Sequence, residues 1–593
     1  MIRLKSIWNN GSFRQYAVLT LCVFLSFWPV MFDTSILGDG ILNYDLLTSD
    51  KPDSIIDYYI AFGLPLHGWF AYLTGFLEPM VLAHKILAFL CIMTGGWYML
   101  ATITRLNFLP KSLNLPVVLL AVCFPIYTMW IDMAKLSYAF SHVCFYAGAF
   151  YYLKWMSSNS KWIMLLLSLM LFSMAFQVSS FLLYFYGFIG GVGLLHINSV
   201  ESPKTNATHF IKKHGLILAF PVVYFFGIMK VFFKPIYPYN EFNYSIKALL
   251  QDSIVSLYGL FIEPLNRFWH FVENNPMTCI FIAAYALSGV FLLSRAIPKA
   301  GAKTSMSKIK AKKLLIFGSI LLFLAVFPYV LVGKPVRGFG YASKNALLSG
   351  LPVSLMVISC LIWLFSNHVK RIFNAVTMIV VLFIAMNLST HITWQNRYIK
   401  YLSLIENLQQ IPPPEERVIF FRDNFPQGSR MLFRHIELHK ALGLGWQDTN
   451  RYAHELNTYV EWDYRLLYTD PMQISRVWKI PWNMDHEMLQ WIHLTDEESR
   501  LIMASTPQQY LSRTQRIFND IGHNNPPEKS FDGTGLTKAG LLAFSGNDQM
   551  EEGVLCWKYL WSSRSEKKLL LQSIARLDYS VVDWSGKSTE IND

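Results

Sequence analysis

Asp39 stands between two glycines, Gly38 and Gly40, a few residues past an apolar run that ends near Met31. Glycine on both sides gives the backbone freedom to present a carboxylate close to a ligand. Just beyond a membrane span, that carboxylate lies where lipid headgroups meet water, and partial desolvation raises its pKa toward that of a general base. Gly-Asp-Gly is also ordinary turn chemistry. Two readings of Asp39 therefore stand side by side, a base and a turn or helix cap. Asp45 lies six residues on and shares a face with Asp39 only if the segment is irregular. Asp132, at a later turn between apolar runs, is either a second site acid or the partner of Lys135. No D-x-D spacing supplies the paired carboxylates of a divalent-ion site, so metal stays unassigned and the cofactor unknown.

The stretch around Asp39, residues 32–74, holds Asp33, Asp39, Asp45, Asp50, Asp53 and Asp57 against one base, Lys51. Ordering backbone costs entropy, so connections between packed elements are usually short. A long acidic first connection reads as a working surface. Within it Asp50, Asp53 and Asp57 read as solvated loop acids, with Asp53 placed to cap a helix over Ser54 to Phe62.

The elements that must position these acids follow from composition. At 593 residues, 53% hydrophobic and 15% charged, the chain has too little polar surface for a soluble globule of its size. Its 44 Phe, 30 Tyr and 18 Trp fit a chain with two bilayer interfaces to line. It reads as a polytopic α-helical membrane protein. Its first apolar run is kept as a span and not cleaved as a signal peptide, since no small-x-small site follows Met31. Runs near the required ~20 apolar residues fall at about 15–32, 79–103, 113–131, 136–155, 162–179, 180–198, 214–233, 276–294, 314–332, 347–366 and 372–389, about eleven spans. The bases Arg3, Lys5 and Arg14, Arg105 and Lys111, Lys154 and Lys161, Lys204 to Lys213, Arg295 to Lys313, and Lys370 with Arg371 then all fall on one side, the cytoplasmic side. The acidic first loop and everything after residue 390 fall on the other.

Two outer segments stand out. Residues 234–275 carry apolar residues at helical spacing between Ile246 and Phe271, which predicts an amphipathic helix at the outer interface or a short re-entrant segment. Residues 333–346 place Lys334, Arg337 and Lys344 where positive charge is scarce, an exception that points to function. The chain thus divides into a transmembrane module over 1–390 and an outer α+β domain over 391–593. In that tail a helix over Gln395 to Gln410 stops before Pro412-Pro413-Pro414. Residues 417–421, 553–561 and 568–584 read as strands or strand pairs, and Tyr452 to Leu467 and Met488 to Ala504 as helices. The seven cysteines show no C-x-x-C or Cys/His cluster. The charge of +12 is spread over short loops, which fits anionic lipid as the partner and no nucleic acid.

The order of elements resembles the N-terminal module of the GT-C glycosyltransferases, with bacterial O-antigen-modifying glucosyltransferases as a similar branch. The resemblance rests on Gly38-Asp39 in the first outer loop, Pro65-Leu66-His67 entering the next helices, and Asp132 at the second outer turn. It implies a multi-pass enzyme of the bacterial inner membrane, with the C-terminal domain in the periplasm. Its donor is a polyprenyl-phosphate-linked sugar and its acceptor a glycan, lipid or protein of the envelope. Asp39 is then the base, and Arg337 and Lys344 hold the departing phosphate. His67 is a substrate contact or a hydrogen-bonded interfacial histidine, and His142 is structural. The nine tryptophans after residue 391 supply core packing, with a few able to stack on sugar rings. The sequence differs from the pattern in having no second acid beside Asp39. Rival readings are a polysaccharide polymerase or ligase, a lipid-linked sugar transporter or flippase, and an envelope scaffold.

Overall fold

The computed structural model describes residues 11–32, 35–126, 132–157, 162–196, 215–233, 245–296, 308–365, 368–415, 418–424, 435–447, 452–455, 538–546 and 550–583. They form two compact units. The first comprises the chain up to Ser35 together with Leu47–His391, and the second joins Ile36–Leu46 to everything from Ile392 onward.

The first unit is helical. In hydrocarbon each backbone N–H and C=O must be satisfied within its own segment, which an apolar run achieves by coiling into a helix. The helices are α1 (Gly11–Phe27), α2 (Asp39–Thr48, shared with the second unit), α3 (Ser54–Ala61), α4 (Pro65–Thr74), α5 (Met80–Leu106), α6 (Lys111–Cys123), α7 (Leu136–Ser157), α8 (Trp162–Ala175), α9 (Ser180–His196), α10 (residues 215–232), α11 (Ile246–Phe261), α12 (Glu263–Asn274), α13 (Pro276–Ala296), α14 (Lys308–Leu331), α15 (Gly350–Phe365) and α16 (Val369–Leu408). Among the described residues four stretches are long and apolar enough to cross a membrane: Phe13–Phe32, Met80–Leu106, Lys310–Leu331 and Val369–Leu408. Shorter apolar helices occupy other predicted span positions. The chain breaks between α8 and α9 at Gln177, the turn that separates the fifth and sixth predicted spans. Helix α7 packs on α5 and α8, and α14 packs on α9 and α15. Phe145 centres the α7–α9 contact, with the rings of Phe172, Phe181, Tyr184 and Phe188 within 6 Å of its own. The amphipathic segment expected over Ile246 to Phe271 is two helices, α11 and α12, in close succession.

The second unit is α+β. Its sheet runs β2-β1-β3-β4, with β1 (Val418–Asn424) parallel to both β2 (Tyr452–Glu455) and β3 (Lys538–Gly546), and β4 (Ala575–Asp583) antiparallel to β3. The end of α16 and helices α17 (His435–Trp446), α18 (Glu552–Trp561) and α19 (Arg564–Ser573) complete it. Its core joins Ile399, Leu404 and Leu408 of α16 to Phe421, Leu438, Leu442, Leu542, Phe544 and Leu571, and Ile41 of α2 lies in the same cluster. Three expectations for this tail change. Residues 553–561 are helix α18 and not a strand, because Glu552, Leu555 and Cys556 are buried at helical spacing while Trp557, Leu560 and Trp561 are exposed. Residues 568–573 belong to α19, nucleated by a capping box between Ser563 and Glu566, and only 575–583 are strand. Tyr452–Glu455 is strand β2, paired to β1, where a helix is expected. Residues 456–467 and the helix expected over 488–504 lie outside the described residues.

Candidate functional site

Asp39 belongs to the second unit. Gly38 takes φ +55°, a left-handed conformation that favours glycine, and Asp39 then opens α2. Contacts with residues beyond Ile392 hold this segment. The Gly38 N–H donates to Glu437 Oε1 (2.9 Å), Ile41 is buried in the core, and Lys440 Nζ pairs with Asp45 Oδ1 (2.8 Å). Glu437 is wholly buried, and its Oε2 accepts from Arg397 Nη2 at 2.5 Å. Arg397 is itself 2% exposed and lies 5.5 Å from the centre of the Trp394 ring. A second buried pair, Lys400 with Asp423, ties α16 to β1. Helix α2 is regular, so Asp39 and Asp45 are about 120° apart around it and do not share a face. Asp45 is engaged by Lys440; Asp39 is half-buried and leaves the helix on a different side.

Four further residues singled out from the sequence lie in the first unit. His67, near the start of α4, is buried, with Nε2 3.2 Å from Ser141 Oγ of α7. The Ser141 hydroxyl donates to the Met174 carbonyl (3.3 Å), so it accepts from an Nε2–H and leaves the His67 Nδ1 lone pair unprotonated. Among the described residues nothing hydrogen-bonds to that Nδ1. Burial, reinforced by the Lys135 ammonium, drives the His67 pKa down to about 3, so the ring is neutral at any working pH. Asp132 leads into the same corner as the cap of the short turn Met133–Lys135, its Oδ1 accepting the Ala134 N–H (2.9 Å). Lys135 stands 5.8 Å from the centre of the Tyr138 ring, and that ring lies 5.5 Å from His67. Gln177 closes the layer: its Oε1 accepts the Leu66 N–H (3.0 Å) and its amide donates to Tyr224 Oη (2.6 Å). The arrangement is a buried polar floor with a lone pair and an ammonium on it.

Arg337 and Lys344 share the loop that leaves α14. Tyr329, whose hydroxyl bonds Ser180 (3.0 Å), accepts the Lys334 N–H through its carbonyl (2.9 Å) and turns the chain into that loop. Helices α11 and α12 then clamp it. Ser256 Oγ accepts the Val336 N–H and Glu263 Oε2 the Gly338 N–H, each at 2.9 Å. The Arg267 guanidinium lies 3.9 Å from the centre of the Phe339 ring and pairs with Glu263 (3.3 Å). Between these anchors Arg337 is exposed, and its charge moderates the rise that burial gives the Asp252 pKa. Lys344 is half-buried in the turn Tyr341–Ala346.

The residues that do the holding, Glu437, Arg397, Glu263 and Ser256, are ones the sequence reading missed. A signal existed for Arg397: with Lys400, Tyr401, Leu404 and Leu408 it falls on one helical stripe, and a charge on an apolar stripe implies a buried partner. Lys85 was missed too. It is buried in α5 and donates to Ser35 Oγ (3.3 Å), and an ionisable group within a helix long and apolar enough to span a membrane is a candidate functional residue. Among the described residues no three His, Cys, Asp or Glu side chains gather as metal ligands would. Comparison with protein families, with curated proteins and with solved structures yields no match to this chain.

Proposed function

We propose that this chain is a membrane glycosyltransferase that moves a sugar from a polyprenyl-phosphate carrier to an envelope glycan, lipid or protein. The reading is supported above all by Asp39, a half-buried carboxylate on a backbone whose preceding N–H is fixed by a buried glutamate. A base must be held within about half an ångström of its productive geometry to be effective. The acceptor hydroxyl gives its proton to Asp39, its oxygen bonds to the anomeric carbon, and the carbon–oxygen bond to the carrier phosphate breaks. One displacement of this kind inverts the anomeric centre. The departing polyprenyl phosphate carries the charge, and Arg337 and Lys344 are the groups assigned to it.

The setting proposed with this chemistry is a bacterial inner membrane crossed about eleven times. The N-terminus lies in the cytoplasm and the second unit in the periplasm. The deciding experiment compares envelope glycans and lipids from cells carrying the intact chain, Asp39→Asn, Arg337→Ala or no chain. One sugar is expected to be missing without the chain and with Asp39→Asn, while that variant inserts and accumulates normally. A full complement of that sugar with Asp39→Asn refutes the assignment. Loss of polymer length without loss of a single sugar replaces it with a polymerase or ligase.

A further inference from the structure

The Ile36–Leu46 segment folds with the residues beyond Ile392 and not with the span that precedes it. Its two side-chain anchors, Ile41 in the core and Asp45 paired with Lys440, stand one turn apart on one face of α2. A third anchor, the Gly38 N–H bond to Glu437, lies just before the helix begins. Asp39 lies off that face. Glu437 is a fully buried carboxylate whose two oxygens are divided between Arg397 and the Gly38 N–H. A buried ion pair alone contributes little that apolar residues could not. One oxygen of this buried carboxylate accepts the N–H of the left-handed Gly38, one residue before the acid, and such a bond fixes the direction in which the chain enters Asp39.

We infer that Glu437, itself oriented by Arg397, is a positioning residue for Asp39, and that the C-terminal unit serves as the holder of the reactive carboxylate. The inference rests on the reading of Asp39 as the base. It gives the tail a part in the reaction, because the chain's far end holds the segment that carries the acid.

The test uses two double variants of the full-length chain, Arg397→Met with Glu437→Gln and Arg397→Met with Glu437→Leu. Both lose the ion pair and leave no buried charge unpaired. Only the first keeps an oxygen for the Gly38 N–H. Hydrogen–deuterium exchange over residues 36–46, in protein purified in detergent, reads the anchor without needing a substrate. The leucine form is expected to exchange there about tenfold faster than the glutamine form. In cells it is expected to make the product lost in Asp39→Asn cells at a level about tenfold or more lower. Equal exchange in the two forms overturns the anchor. Faster exchange with equal product overturns the positioning role. Should Asp39→Asn itself stay active, the functional reading falls while the exchange result still stands on its own.

Discussion

Glu552, at the start of α18, shows how burial sets the behaviour of a single residue. It is buried, and burial raises its carboxyl pKa above the ordinary 4.5, more than the hydrogen bond from Thr393 Oγ1 (3.0 Å) lowers it. Below the unfolded value both states are protonated and the site's contribution is complete. As pH rises through the folded value, the buried group must ionise or unfold, and stability is lost. Each pKa unit of elevation is worth about 1.4 kcal/mol at neutral pH. The second unit should therefore melt lower at about pH 8 than at about pH 5, and Glu552→Gln should remove much of that slope and raise the melting temperature at the higher pH. A slope unchanged in Glu552→Gln, followed by thermal unfolding across that range, means the dependence lies elsewhere. Glu437 is as deeply buried and predicts a different outcome, because it is paired. Removing its partner with Arg397→Met alone leaves a buried charge and should cost about 3–5 kcal/mol, whereas the neutral double variant with Glu437→Gln should recover most of that loss. Urea unfolding of the three forms separates the cases.

At the scale of elements, the loop that presents Arg337 and Lys344 depends on two glycines touching across a helix. A Cβ on Gly259 would sit 2.3 Å from the Val336 carbonyl oxygen, and one on Gly338 would sit 2.3 Å from the Gly259 oxygen. Backbone on both sides leaves nothing to yield. Gly259→Ala should thus cost about 1–3 kcal/mol by overpacking. It should also open residues 333–346 to protease, measured by limited proteolysis beside a thermal scan. Protection equal to the unaltered chain would mean the clamp is made elsewhere. Such contacts also explain what could be read beforehand. Helices declared by apolar runs or amphipathic spacing were legible, α11 and α12 among them. Helix α18 was not, because Val554, Leu555, Cys556, Trp557 and Tyr559 have the composition of a strand, and only their burial pattern shows the 3.6-residue period. The start of α19 was legible in principle through Ser563 and Glu566, three residues apart. The anchor on Asp39 had no local signal: Glu437 lies 399 residues from Gly38 and 40 from Arg397.

For the whole molecule, the second unit imposes a rule on how the chain crosses the membrane. A bilayer cannot pass through a core in which Ile41 packs with Leu404 and Phe544, so Ile36–Leu46 and the chain after Ile392 lie on one side. The number of crossings between Leu47 and His391 must then be even. Three of the four long apolar helices begin in that interval, at Met80, Lys310 and Val369. If those three cross, parity asks for an odd number of the other helices in the interval to cross with them. The seven other stretches read as spans bring the interval to ten and satisfy the rule. Length agrees at the far end, where α16 runs unbroken for 40 residues. That is about 60 Å, twice the hydrocarbon thickness, and enough to cross and continue into the second unit. Cysteine mapping tests this directly, with the natural cysteines replaced by serine. Asp50→Cys and Lys568→Cys, both at exposed positions, should react together with a membrane-impermeant maleimide in intact spheroplasts. Lys310→Cys, an odd number of crossings from Asp50 in the ten-crossing arrangement, should react only after the membrane is opened. Asp50→Cys and Lys568→Cys labelling from opposite sides would break the second unit apart, and with it the claim that the tail holds the acid.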